Sequence, residues 1–315
     1  MHYQNLGNTD IKISSIIYGC WQAAWPGTEE AELIAAQQAA LDAGVTTFDT
    51  AEGYGGGDSE RLLAKALGTR RDEIVIATKV GADNLAAEKV ATACERSLKN
   101  LNTDRIDLYQ IHWPAGTWGS DIVPIGETID ALLKLKSAGK IRALGVSNFN
   151  KAQMTEAIAV APIESLQPPY SLFWRHLEED SMPVCREHGI SILAYSPLAQ
   201  GLLTGKFGRD HKFVPGDPRG GNKLFKDEHF GRVQAALDQL RPIASAHNAS
   251  LGNLALAWLL HQPKTCPIVG ARTAEQAREN ATATDISLTS EEISKIDVIG
   301  KSVTDHLDSN PVMWG

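Results

Sequence analysis

Ile74-Val75-Ile76-Ala77-Thr78-Lys79 is a short apolar run that delivers one polar group at its end. Six further runs repeat that form: TTFDT (46–50) with Asp49, IDLYQIH (106–112) with His112, ALGVSN (143–148) with Ser147 and Asn148, ESLQP (164–168) with Gln167, SILAYS (191–196) with Tyr195, and PIVGAR (267–272) with Gly270. Amphipathic helical stretches separate most of these runs. Continuous apolar strands suit a parallel sheet buried on both faces. A chain that repeats strand, polar tip and helix builds a parallel α/β barrel with its active site at one rim.

The segments between the runs agree with this. Residues 29–43 are rich in Ala, Glu and Leu and stop at Gly44, a C-terminal cap signal. Residues 86–101 set Val90, Cys94, Leu98 and Leu101 on one helical face, and 126–138 end at Gly139. A further helix is expected over 176–188, before Gly189. The first barrel strand is expected at Ser15–Tyr18. Ahead of it, residues 1–14 alternate about a turn at Gly7–Asn8 and read as a hairpin plugging the barrel bottom. Residues 201–227 form a long Gly- and Pro-rich loop holding Lys206, Arg209, Lys212, Arg219, Lys223 and Lys226, of a length that is usually functional. Thr289-Ser290-Glu291-Glu292 is a capping box that predicts an added helix at 290–299, within a C-terminal extension of 289–315 that carries Trp314. No boundary divides residues 1–315, so one barrel domain is expected.

Composition narrows the function. With 43% apolar and 22% charged residues the chain is that of an ordinary globular protein. A net charge of −8 argues against a global attraction to nucleic acid or anionic lipid. Cys20, Cys94, Cys185 and Cys266 lie far apart with no metal-ligand spacing, which favours a reducing compartment. The N-terminus lacks the basic and apolar regions of a signal peptide, and no apolar run is long enough to span a membrane. A soluble cytoplasmic protein is expected.

The strand-end groups suit carbonyl reduction. That reaction needs a hydride donor, a proton donor and a group that polarises the C=O. No side chain donates hydride, so a nicotinamide would have to be bound. Tyr54 would serve as proton donor, its pKa lowered from about 10 by an adjacent ammonium. Lys79 could supply that ammonium, Asp49 could hold Lys79 by an ion pair, and a neutral His112 could orient the carbonyl oxygen. Singly, each has a plainer reading: a cap for Asp49, a solvated strand end for Lys79, a core histidine for His112, packing for Tyr54. Together, at successive strand ends, they are hard to explain by packing.

These residues also lie in stretches that resemble one family. Asp49-Thr50-Ala51-Glu52-Gly53-Tyr54-Gly55 with Ser59-Glu60, Thr78-Lys79, Asp107 to His112, Gly145 to Phe149, Tyr195-Ser196-Pro197-Leu198, and Gly270-Ala271-Arg272 with Glu279-Asn280 are similar to the aldo-keto reductases, over about residues 3–299. The matching branch is that of bacterial oxidoreductases and channel-β-like proteins. The resemblance implies a (β/α)8 TIM barrel with an N-terminal β-hairpin and additional C-terminal helices. It also implies an NAD(P)(H)-dependent carbonyl reductase or alcohol dehydrogenase, with Tyr54 as acid/base and Asp49, Lys79 and His112 in support.

On the same resemblance Ser147, Asn148 and Gln167 would hold the nicotinamide carboxamide and Tyr195 would stack on the ring. The chain through Ser196, Pro197, Leu198, Gln200, Gly201 and Leu203 would run along the pyrophosphate, its residues other than proline supplying backbone N–H donors. Arg272, at the start of a helix through Gln276, Glu279 and Asn280, would seat the adenosine 2′-phosphate. Gly270 stands where many members have lysine and Gln276 where many have arginine, so NADP(H) is expected with NAD(H) left open. Trp21, Trp113 and Trp174 are the candidate pocket walls, Trp118 lies on a later loop, and a neutral carbonyl substrate is expected. Two alternatives accompany this reading: an NAD(P)+-dependent sugar or alcohol dehydrogenase, and a cofactor-binding channel-β-like regulatory subunit.

Overall fold

The structure is a computed structural model that describes residues 1–24, 27–208, 210–214 and 217–309. Arg209 of the long loop and the tail from Asn310, with Trp314, lie outside the described residues. The chain opens with a hairpin of β1 (Tyr3–Asn5) and β2 (Lys12–Ser14), antiparallel and in register Gln4 to Ile13. Then come β3 (Ile17–Gly19), α1 (Glu30–Asp42), β4 (Thr47–Asp49), α2 (Asp58–Leu67), β5 (Val75–Val80), α3 (Ala87–Asn100), β6 (Ile106–Ile111) and α4 (Ile125–Ser137). The second half has β7 (Ile141–Ser147), α5 (Lys151–Val160), β8 (Ser165–Gln167), α6 (Met182–His188), β9 (Ser191–Ala194), α7 (Asp227–Ala246), α8 (Leu251–Leu260), β10 (Thr265–Val269), α9 (Ala274–Thr282) and α10 (Ser290–Thr304). Strands β3 to β10 are all parallel and close in chain order, with β10 pairing back onto β3. This is the (β/α)8 barrel, with α7 and α10 added outside the repeat and packed on each other.

The barrel has two ends of different character. At the N-terminal ends of the strands the hairpin brings Leu6, Ile11 and Ile13 onto Ile17, Ala77, Leu108 and Leu193, which fill the interior. Nearby, Asp107 is buried and accepts from Arg71 Nη2 (2.8 Å), Arg142 Nη1 (2.9 Å) and the Ile76 N–H (2.9 Å). Such bottom-face devices serve stability in barrels of this type, and the opposite rim serves chemistry.

Expected boundaries moved in three places. The first strand is Ile17–Gly19, two residues later than the pattern indicated, because Ser14 Oγ takes the N–H groups of Thr46 and Thr47 and ties the preceding turn to β4. The helix expected over 176–188 is a 3-10 turn (His176–Glu178) followed by α6, which starts with Pro183 in its first turn, where a missing N–H costs no hydrogen bond. The C-terminal helix has the expected Thr289–Glu292 capping box but runs five residues further, to Thr304. Among the described residues no helix is long and apolar enough to cross a membrane.

Candidate active site

Lys79 lies on β5 with its side chain wholly buried, and its Nζ gathers three partners: Asp49 Oδ1 at 2.5 Å, the Thr50 carbonyl at 2.8 Å and the Tyr54 hydroxyl at 3.3 Å. Asp49 is the last residue of β4. Tyr54 opens a 3-10 turn in which Gly55, Gly56 and Gly57 have φ of 61°, 62° and 92°, a left-handed run that residues with a Cβ resist. That turn returns the Tyr54 ring over the barrel mouth, 5.5 Å from the His112 ring and 4.8 Å from the Trp21 ring, edge-on to both. His112 follows β6 and is fixed by its N–H on the Val80 carbonyl. The four residues, carried by the ends of β4, β5 and β6, therefore meet at one point.

The electrostatics departs from the sequence reading in one respect. The Tyr54 phenol stands above its ordinary value of 10, not below it. Burial raises it more than the Lys79 ammonium lowers it, and the Asp49 carboxylate raises it further. Lys79 is pulled down by burial, but Asp49 and Tyr54 more than compensate and hold it above the usual ammonium value. Burial, with the Lys79 charge, pushes the His112 imidazole down to about 3, so it is neutral over the whole working range. A protonated phenol, a cation bonded to it and a neutral imidazole converge on the mouth.

Beside this centre, the tips of β7, β8 and β9 form one hydrogen-bonded group. Ser147 Oγ donates to the Gln167 carbonyl (2.7 Å), as does the Asn148 N–H (3.1 Å). Asn148, at φ 61°, sends Nδ2 to the His112 carbonyl (3.0 Å) and receives the Tyr195 hydroxyl on Oδ1 (2.9 Å). Tyr195 follows β9 and is half-buried. The following loop has left-handed φ at Ser196, Ala199, Gln200 and Gly201 and places Pro197 inside, Leu198 part-buried and Leu203 wholly buried. Gly201 and Leu203 both donate their N–H groups to the Leu198 carbonyl (2.9 and 3.2 Å).

At the next rim position Arg272 is exposed, its N–H held by Gln276 Oε1 (2.9 Å) at the head of α9, while Asn280 Nδ2 reaches back to the Gly270 carbonyl (3.3 Å). Exposed Glu279 gives its carbonyl to Asn253. Partial desolvation and the nearby charges of Arg219 and Arg272 lower exposed Lys206, so cations from the long loop and from the segment ahead of α9 lie near one another. Arg219 is braced by Asp217 and by the rings of Phe207 and Phe213.

The tryptophans divide. Trp21 is half-exposed against Tyr54, and half-buried Trp113 packs 4.6 Å from exposed Trp118 on the loop after His112. Trp174 is 1% exposed, packed in the core with His176 against its ring and the Lys223 ammonium above it. It presents no surface to a ligand, which removes it from the pocket walls. Its neighbour Arg175 is structural too, paired with Glu178 and Asp297. Two further residues belong to the site. Gln110 bonds Asp49. Gln22 fills the space where a Cβ on residue 270 would sit, and its Oε1 is buried with no hydrogen-bond partner among the described residues. The period-2 alternation of β6, which turns Leu108, Gln110 and His112 inward together, could have found Gln110; nothing in the sequence announces Gln22.

Comparison with known proteins bears on this site. The family model for the aldo/keto reductases matches residues 15–301. The chain is 38% identical over 314 residues to the aldo-keto reductase YhdN of Bacillus subtilis, covering 95% of this chain and 93% of that protein. It is 35% identical to the NADH-specific methylglyoxal reductase of Escherichia coli, covering 90% and 93%. Among solved structures it superposes on the glycerol dehydrogenase AKR11B4 of Gluconobacter oxydans with a TM-score of 0.89 at 34% identity, covering 98% of each chain. An aldo/keto reductase of Klebsiella pneumoniae solved with NADP and acetate gives a TM-score of 0.77 at 29% identity, covering 97% of each. With the barrel, the rim site and a family match across nearly its whole length, this chain is an oxidoreductase belonging to the aldo/keto reductase family.

Proposed function

We propose that this protein reduces a small neutral aldehyde or ketone to the alcohol with NADPH, Tyr54 giving the proton. The observation that carries the reading is the Lys79 ammonium bonded at once to Asp49 and to the Tyr54 hydroxyl, beside a neutral His112. Tyr54 is protonated at neutral pH and so holds the proton until a more basic oxygen, the developing alkoxide, draws it off. The ammonium then stabilises the phenolate left behind, and burial strengthens that contact. Neutral His112 donates a hydrogen bond to the same oxygen without competing for the proton.

The donor set fits a pyridine nucleotide. Ser147 and Asn148 are tied to the Gln167 carbonyl in one polar group, in which Gln167 also holds Asp49 through Nε2; Tyr195 is an aromatic platform beside them, and Gln22 offers a buried oxygen without a partner among the described residues. Arg272, with Lys206 and Arg219, supplies the positive field that a 2′-phosphate requires. When bound, the reduced nicotinamide supplies the hydride. Trp21 and Trp113, with Trp118 beyond, give the substrate an apolar wall.

The reverse direction, oxidation of a polyol or alcohol, is the second reading, favoured by the likeness to a glycerol dehydrogenase. Initial-rate oxidation of NADPH and of NADH against aryl, aliphatic and sugar carbonyls, with alcohol oxidation run in parallel, decides between them. Faster turnover with NADPH and a carbonyl is expected. Turnover only with NAD(P)+ and alcohols would reverse the assignment, and tight NADPH binding without turnover in either direction would overturn it.

A further inference from the structure

Two buried amides bond the carboxylate of the Asp49–Lys79–Tyr54 centre. Gln167 Nε2 donates to Asp49 Oδ2 at 2.8 Å, and Gln110 Nε2 donates to the same oxygen at 3.3 Å. Gln167 Nε2 also reaches Gln110 Oε1 at 3.3 Å. All three side chains are at most 3% exposed. A carboxylate only accepts, so each amide must turn its NH2 group to Asp49. The arrangement divides Asp49 cleanly: Oδ2 takes two neutral donors and Oδ1 faces the lysine.

The barrel is shaped around this. Lys79 and Gln110 are register partners across β5 and β6, and Gln110 pairs in turn with Gly145 on β7. A Cβ at Gly145 would stand 2.2 Å from Ser165 Oγ and 3.0 Å from Gln110 Cγ, so the glycine leaves room for Ser165 and lets the stem of Gln110 lie close against β7. Gln110 is 0% exposed, and a buried amide needs a protein partner; its Nε2 has one in Asp49.

We infer that Gln110 is a positioning residue of this site, holding Asp49 so that its other oxygen fixes the Lys79 ammonium against Tyr54. The inference rests on the reading of those three residues as the proton-transfer centre. Other titratable groups around Tyr54 are His112 from β6, Cys20 beyond β3 and Tyr195 beyond β9. None of them donates to Asp49 among the described residues, so the amides alone fill that role on Oδ2.

The test uses the full chain with two substitutions. Gln110→Met keeps the length and removes the donor, and should lower kcat/KM about 10²-fold, the effect of a small misplacement at a reacting group. Gln110→Glu keeps the shape and makes the donor conditional on pH. Protonated, the introduced carboxyl donates to Asp49 as the amide does; ionised, it repels Asp49. Next to a carboxylate its pKa is raised above the ordinary 4.3 or so of a glutamate. Activity of Gln110→Glu should therefore be highest at acid pH and fall at least tenfold as pH rises through that pKa, a limb the parent lacks. Urea unfolding of the unliganded protein reads the same contact without turnover. The native state binds the extra proton more tightly than the unfolded chain, so stability relative to the parent should decline as pH rises from about 4.3 upward. Parent-like kcat/KM in Gln110→Met, or parent-like pH dependence of activity in Gln110→Glu, would overturn the inference, since a merely structural role moves neither in this way. If the parent shows no turnover at all, the proposed function fails, and a flat unfolding profile for Gln110→Glu would separately remove the amide–carboxylate contact.

Discussion

Replacing Lys79 with methionine removes a charge that contacts three partners at once, and its effects should separate into stability and chemistry. Nζ and Asp49 Oδ1 are 2.5 Å apart, with side chains 0% and 3% exposed. At an effective dielectric of about 20 their attraction is about 7 kcal/mol, much of which offsets the desolvation of both ions. Breaking a buried pair from one side leaves the other charge unpaired, and such changes cost about 3–5 kcal/mol. Asp49 keeps its two amide donors from Gln110 and Gln167, which places Lys79→Met towards the lower end, about 3 kcal/mol. The double substitution Lys79→Met with Asp49→Asn removes both charges and should recover most of that loss. Urea unfolding at neutral pH measures both. Turnover should behave otherwise: neither variant keeps a cation on the Tyr54 hydroxyl, so both should fall about 10²–10⁴-fold in kcat, the range of a lost acid–base contribution. A single variant as stable as the parent would refute the ion-pair reasoning. A stable double variant that regained turnover would refute the role given to the ammonium.

Two further outcomes follow from the same geometry. Arg272→Ala should raise KM for NADPH at least tenfold and leave KM for NADH nearly unchanged; equal changes in steady-state kinetics would remove the 2′-phosphate assignment. His112 is held neutral down to about pH 3, while an unfolded histidine takes a proton near pH 6.5. Between those values the unfolded state binds the extra proton, so this group's contribution to stability is present above pH 6.5 or so and is lost as pH falls. His112→Asn should flatten the decline of the urea midpoint between about pH 6.5 and about pH 4, and an unchanged slope would contradict the buried neutral imidazole.

The barrel was legible because each strand is short, apolar and closed by one polar residue, and because Gly44, Gly139 and Gly189 mark where helices stop. Asp49, Lys79 and His112 could be read from their places at strand ends, where a polar group has no packing reason to stand. The direction of the Tyr54 shift was not legible: it depends on whether burial or the ammonium dominates, a matter of three-dimensional depth. The place of Trp174 is not legible for a related reason, since a large apolar ring suits the core as well as a pocket wall, and only its 1% exposure decides. The turn after β9 could not be anticipated in detail because its left-handed residues include Ser196, Ala199 and Gln200, types that carry no such signal. Gln22 belongs with these: it fills the place vacated at Gly270 from a different strand end, a compensation visible only when β3 and β10 are brought side by side.

Tyr54→Phe tests the central claim most directly, because it deletes one oxygen and leaves the ring between Trp21 and His112. NADPH affinity by fluorescence titration and steady-state carbonyl reduction should be measured on the same preparation. The account predicts an affinity within about twofold of the parent and a kcat lower by at least about 10²-fold. Retention of most of the activity would contradict it, and another proton donor would have to be sought at the mouth.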